Sequence, residues 1–241
     1  MHATHMQEAV HALIALANAK GKGYVCVTGV HGVMESQSSD ELRAIHNRSF
    51  LTVPDGVPTV WVGRLRGHKT MARVYGPDLM LAMCEATRDT RHTHFLYGGK
   101  EGVAEELKAE LEKRFPGICI AGTYCPPFRP LEEAELEQLR AQCKADFFWV
   151  GLSTPKQERF MSEQLSRLPV HVMLGVGAAF DVHTGRMIDA PEWVKRAGLQ
   201  WLHRFAQEPR RLARRYLVNN PRFILNIICQ SLGLKRYDLN D

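Results

Sequence analysis

Six short β-rich runs alternate with helical segments, and that rhythm is the strongest limit on what this chain can fold into. The runs are GYVCVTGV, FLTVP, THFLYGG, GICIAGTY, ADFFWVGL and VHVMLGVG. Between them lie SSDELRAIHNRS, DGVPTVWVGRLRG, GPDLMLAMCEATRD, KEGVAEELKAELEKRFPG, LEEAELEQLRAQCK and TPKQERFMSEQLSRL, with the apolar stripes and end signals of helices. The pattern predicts an α/β fold: a Rossmann-like, mainly parallel sheet covered by helices. After Gly177 the rhythm stops. The remainder reads as short helices punctuated by Pro191, Pro209 and Pro221. We place an α/β body over residues 1–190 and a basic helical appendage over 191–241.

With 241 residues, 45% of them apolar, the chain can bury one sizeable core, so collagen-like and disordered readings are excluded. No run of apolar residues is long enough to span a bilayer. The N-terminal stretch lacks the basic region and cleavage site of a signal peptide and reads as an amphipathic helix, so the chain is expected in the cytoplasm. The six cysteines have neither CxxC nor zinc-ligand spacing and are expected to be mostly core thiols. The histidines show no HExxH or HxxxH spacing, so no metal site is expected.

The net charge of +5 is unevenly spread. From Pro191 to Asp241 there are ten Lys and Arg against four acidic residues, which leaves the first 190 residues at −1. A basic tail implies an anionic partner: nucleic acid, a phosphorylated ligand or an anionic bilayer surface. Trp193, Trp201, Phe205, Tyr216 and Phe223 are interleaved with the cations, a mixture suited to a membrane interface. The apolar stretch FILNIICQSLGL can dock on the body, on a bilayer or on another subunit, so a homo-oligomer stays open.

Ligands of open α/β sheets collect beyond the carboxyl ends of the strands. Those ends carry Thr28 to Gly32, Pro54-Asp55-Gly56, Gly98-Gly99-Lys100, Gly122-Thr123-Tyr124, Gly151 to Glu158 and Gly175 to Asp181. Small residues and helix N-termini there suit a nucleotide, although neither GxxxxGK[ST] nor GxGxxG is present. Asp55 follows an apolar run and reads either as a general base beside a substrate hydroxyl or as a turn Asp before Gly56. Asp181 reads as a ligand for a sugar hydroxyl or as a cap. Lys156 and Gln157 open a helix and can meet a diphosphate or sugar, or simply face solvent. His31 can bond substrate or serve the fold.

The set PDGVPTVWVGR, RVYGPDLM, FLYGGKEGVAEEL, GLSTPKQERFM and GVGAAFDVHTGRMIDAPEWVKRAGLQWLHRFAQEPRRLARRYLVNNPRF resembles the WecG/TagA/CpsF family of bacterial glycosyltransferases, in order from Tyr24 to Ser231. The resemblance implies an inverting, metal-independent transfer of a sugar from a UDP-sugar co-substrate to a polyprenyl-diphosphate-linked saccharide. The place would be the inner face of the cytoplasmic membrane, as a peripheral protein. Products of the family feed teichoic acid, common antigen, capsule or exopolysaccharide. The resemblance puts the catalytic carboxylate on Asp55. It puts substrate contacts on Arg73, on Gln157 of the PKQE motif and on Asp181 of the GVGxxFD motif, and diphosphate contacts on Arg204, Arg211 and Arg214. Thr28, His31, Gly98, Gly99 and Lys156 join the substrate-binding candidates from their places at the strand ends. Many relatives carry Thr-x-Asn after the first strand, where this chain has Thr28-Gly29-Val30-His31. The sugar therefore stays open among N-acetylmannosamine, its uronate, glucuronate and glucose. A basic-tailed nucleic-acid-binding protein is the competing class, and it leaves the Asp, Gln and Gly set at the strand ends without a purpose. A nucleotide-dependent oxidoreductase is disfavoured by the missing dinucleotide fingerprint.

Overall fold

A computed structural model describes residues 1–235, apart from the side chains of Arg211, Arg214 and Arg215. The chain begins with α1 (Met6–Asn18), β1 (Gly23–Thr28), α2 (Val30–Ser38), α3 (Asp40–Arg48), β2 (Leu51–Pro54) and α4 (Val57–Leu65). It continues through α5 (Gly76–Thr87), β3 (Thr93–Gly98), α6 (Val103–Arg114), β4 (Cys119–Tyr124) and α7 (Glu133–Gln142). Then come β5 (Ala145–Gly151), α8 (Lys156–Gln164), β6 (Val170–Gly175) and α9 (Ala179–His183). The appendage holds α10 (Glu192–Arg196), α11 (Gln200–Gln207) and α12 (Pro209–Ser231).

The six strands form one sheet in the order β2-β1-β6-β5-β3-β4, and every pairing is parallel. All six expected strands are therefore present. Successive residues of each strand serve opposite faces, and the core divides accordingly. Val25, Leu96, Phe147, Trp149, Val172 and Leu174 pack on one face with residues of α1, α5, α6 and α9. Their neighbours Cys26, Phe95, Tyr97, Phe148, Val150 and Met173 pack on the other face with residues of α3, α7 and α8. The segment after β1 thus leads to the second face, and the segment after β6 to the first. Adjacent parallel strands whose exits part in this way leave a crevice at their carboxyl ends, and here it opens between β1 and β6.

Two local expectations are corrected. The β-rich run GYVCVTGV ends at Thr28, and Val30–Ser38, where the sequence predicts no helix, is helical, with Gly32, Met34 and Ser36 buried. Its glycine weakens a helix by about 1 kcal/mol and hides the pattern, but packing against α3 and α12 stabilises the turn where propensity does not. Pro221 does not end a helix either; it lies inside α12, between the caps Glu208 and Leu232. A proline ring leaves unbonded the carbonyl four residues earlier, that of Leu217, a residue exposed to water. Cys26, Cys84 and Cys143 are core thiols, whereas Cys119 at the start of the edge strand β4 is exposed and Cys125 and Cys229 are half-buried.

One buried polar group gives the fold a pH signature. His94 is fully buried, with its ring stacked on Phe147 and nearly parallel to that of Trp149. Trp149 Nε1–H donates to His94 Nδ1 at 3.0 Å, so the neutral ring carries its proton on Nε2 and donates to Thr87 Oγ1 at 2.9 Å. Burial, with a smaller push from His92, lowers the His94 pKa to about 3. Below pH ~6.5 the unfolded chain takes up a proton at this residue that the folded chain refuses until pH nears 3, so stability falls as pH falls through that window. The contribution reaches about 1.4 kcal/mol per pH unit. Urea unfolding of wild type and His94→Gln between pH 7.5 and 4.5 checks it. The stability advantage of the wild type should narrow on acidification; parallel curves would remove His94 as the cause.

Candidate active site

The crevice widens into a cleft of about 810 Å³, walled by the ends of β1, β2, β5 and β6 and by parts of α2, α4, α11 and α12. It brings together Thr28, His31, Asp55, Arg73, Gln157, Asp181 and Arg204, which the sequence scatters over 177 positions (28 to 204).

Asp55 sits immediately after β2, with its backbone held on two sides. Its N–H donates to the Thr28 carbonyl at 3.1 Å, and its carbonyl accepts from Arg73 Nε. The carboxylate accepts a long bond of 3.4 Å from the Gly76 N–H and lies across from Gly29, where a Cβ would come within 3.7 Å of Oδ2. It faces the cleft, not the core.

Thr28 closes β1. His46 Nε2 lies 3.1 Å from its hydroxyl, while His46 Nδ1 lies 2.8 Å from the Leu42 carbonyl. A carbonyl only accepts, so the proton of the neutral ring is on Nδ1 and Thr28 donates to Nε2. The lone pairs of Thr28 are left to accept from a ligand. Gln157, in the first turn of α8, crosses to the end of β6: its Oε1 accepts from the Gly177 N–H at 3.1 Å. Asp181 projects from α9, and no hydrogen bond or ion pair holds its carboxylate among the described residues.

The appendage is tied to this wall through polar groups. Arg73 reaches from the Asp55 carbonyl to Gln200 Oε1 and lies 4.2 Å over the Tyr75 ring. Gln200 Nε2 donates to Asp189 Oδ1 at 2.9 Å, and Lys195 pairs with Asp189 Oδ2 at 2.7 Å. Tyr75 donates to Asp189 at 3.0 Å; burial, reinforced by the charges of Asp189 and Asp55, raises its pKa and keeps the phenol protonated. Burial acts to raise the Asp189 pKa, but Lys195 and the Ala190 N–H outweigh it and hold the carboxyl below its usual range. Farther along, Asn219 of α12 lies 3.0 Å from His31 Nδ1, so His31 helps seat the tail as well as line the cleft. Arg204 enters the cleft from α11 with its Nε buried and unbonded among the described residues.

Three expected contacts are placed elsewhere. Gly98 and Gly99 adopt positive φ and close β3 against β5: the Gly99 N–H donates to the Gly151 carbonyl at 3.1 Å, and a Cβ on Gly98 would stand 2.6 Å from that oxygen. Lys156 points away, its Nζ 4.3 Å from the Phe128 ring centroid. The side chains of Arg211 and Arg214 lie outside the described residues. Sequence reasoning also missed Tyr75, Asp189 and Gln200. All three fall inside recognised motifs, and only the fold reveals that they meet.

Among the described residues no group of three His, Cys, Asp or Glu side chains is arranged to hold a metal, and no helix is long and apolar enough to cross a membrane.

Two curated relatives align over most of the chain. One is the N-acetylglucosaminyldiphosphoundecaprenol N-acetyl-beta-D-mannosaminyltransferase of Bacillus subtilis (strain 168), 28% identical over 198 residues that make up 82% of this chain and 75% of the relative. The other, of the same name, is from Bacillus spizizenii (strain ATCC 23059 / NRRL B-14472 / W23), 27% identical over 210 residues, 87% of this chain and 80% of the relative. The glycosyl transferase WecG/TagA/CpsF family model matches residues 1–237, nearly the whole sequence, and the chain belongs to that family.

Proposed function

We propose that the protein transfers a hexose-type sugar, with inversion, from a UDP-sugar to a polyprenyl-diphosphate-linked saccharide. The observation that carries this reading is one cleft with an available carboxylate, Asp55, on one wall and, on another, the Arg204 guanidinium, whose Nε is buried without a partner among the described residues. Asp55 takes the proton of the acceptor hydroxyl as that oxygen attacks C1 of the donor sugar. The bond from C1 to the diphosphate oxygen breaks on the opposite face, and UDP leaves with the negative charge. Arginine, always protonated and fork-shaped, stabilises that charge, and no metal is required for it. Arg204 supplies the visible donor, and Arg211 and Arg214 of the same tail are proposed to join it. Thr28 and Asp181 offer acceptors for hydroxyl or imide N–H groups of the donor.

The acceptor class is supported by the two relatives, whose names specify a diphosphoundecaprenol substrate. A lipid-bound acceptor calls for peripheral attachment to the inner membrane face. Leu225 of α12 and Trp193 of α10 are exposed, as are Leu217, Ile224 and Ile228 of α12, which also line the cleft, in a tail whose sequence is rich in basic residues. Each cation near an anionic surface adds ~1 kcal/mol, reduced by salt, which suffices for reversible docking.

The test follows UDP release from UDP-N-acetylmannosamine, its uronate, UDP-glucuronate and UDP-glucose, with and without a polyprenyl-diphosphate N-acetylglucosamine acceptor. Acceptor-dependent release from one donor is expected. No release with any donor, together with tight salt-sensitive binding to DNA or RNA, would replace this reading with the nucleic-acid one.

A further inference from the structure

We propose that Glu158 is a positioning residue that fixes which way the Gln157 carboxamide faces, with Oε1 on the Gly177 N–H and Nε2 on the Glu158 carboxylate. The functional consequence rests on the assignment of Gln157 to substrate binding above; the orientation itself does not.

Gln157 is 3% exposed and Glu158 1% exposed, both in the first turn of α8. Two groups of opposite and fixed polarity flank the Gln157 amide. On one side the Gly177 N–H, which can only donate, gives its hydrogen to Oε1 at 3.1 Å. On the other, Glu158 Oε1 accepts from Nε2 at 3.1 Å, and a carboxylate can only accept. Rotating the amide by half a turn would set oxygen against oxygen and N–H against N–H. Only one orientation satisfies both neighbours. The second hydrogen of Nε2 has no partner among the described residues, and Gln157 forms part of the cleft wall. That hydrogen is available to a ligand acceptor such as a sugar or phosphate oxygen.

A second observation separates this from ordinary packing. Thr154 Oγ1 also donates to Glu158 Oε1, at 2.9 Å, so both bonds converge on one oxygen. Glu158 Oε2 is buried with no hydrogen-bond partner. A buried carboxylate with half its acceptors unused costs folding free energy, and a glutamine there could receive the same two bonds more cheaply. What glutamine cannot supply is exclusive acceptor character. An amide at 158 could turn its own NH2 toward Gln157, which removes one of the two groups that hold the orientation and leaves only the Gly177 N–H.

The test combines a kinetic cycle with a spectroscopic arm. Glu158→Gln, Gln157→Ala and the double variant are compared for kcat, donor KM and thermal unfolding. Glu158→Gln should unfold within a few degrees of wild type yet lose about 10-fold in kcat/KM for the donor, the scale of one misdirected hydrogen bond. In the Gln157→Ala background the same change should have almost no further effect. An undiminished loss in that background, or full activity of Glu158→Gln, overturns the proposal. Independently of any donor, the side-chain NH2 signals of Gln157, assigned by their disappearance in Gln157→Ala, should be a single restrained pair in wild type. They should shift or double in Glu158→Gln; an unchanged pair refutes the orienting role. A wild type that turns over no UDP-sugar would sink the proposed function, and the NMR arm would still decide what Glu158 does.

Discussion

Asp55→Asn is expected to lower turnover by about 10²–10⁴-fold, the usual contribution of a positioned general base. The geometry makes the substitution a clean one. The backbone of residue 55 is pinned by Thr28 and Arg73 through main-chain atoms, which asparagine leaves in place. The side-chain bond at risk is the long one from the Gly76 N–H, and an amide oxygen accepts it equally well. Fold and donor pocket should therefore persist, and the affinity for UDP measured by calorimetry should change by no more than about threefold, since the base acts in the transition state. The loss belongs in kcat. Near-normal turnover would mean that the carboxylate facing the cleft is not the base.

Why Asp55 was legible in the sequence, and other site residues were not, follows from the range of the interactions. A buried parallel strand must be an apolar run, and the chain leaves it at its carboxyl end, so Thr28, Asp55 and Gln157 could be placed on the ligand side without knowing the sheet order. Which of those ends converge depends on strand order, and no local pattern encodes it. In the order β2-β1-β6-β5-β3-β4 the end of β3 lies two strands from β6, so Gly98 and Gly99 close a strand junction instead of lining the cleft. The clasp of Arg73, Tyr75, Asp189 and Gln200 was invisible for the same reason: its members are ordinary polar residues until the tail folds back. α2, and the continuation of α12 through Pro221, form against local propensity and were not predicted; the two helices pack on one another.

Removal of the chain from Pro191 onward should leave a folded body that has lost about 10²–10³-fold or more of its transfer activity, the scale of deleting an oxyanion-stabilising donor. Folding should survive because neither core cluster contains a residue beyond Phe180. Of the polar groups stranded by the cut, Arg73 and Tyr75 line the cleft, where water can replace Gln200, and Asp189 keeps its bond from Tyr75. Activity should not survive. The truncation removes Arg204, whose Nε is the one buried guanidinium donor without a partner among the described residues, together with Arg211 and Arg214. It also removes the exposed apolar row of α12, so sedimentation with anionic vesicles, salt-sensitive in the intact protein, should be abolished. A water-soluble acceptor with a short alkyl chain separates the two losses. If the tail served only as a membrane tether, the truncated body would work at full rate on that acceptor. If it completes the cleft, the body stays inactive on both acceptors, and Arg204→Ala in the full chain reproduces a large share of the defect while vesicle binding is retained. Full activity of the truncated body on the lipid acceptor would rule out both roles and return the departing diphosphate to residues of the sheet alone.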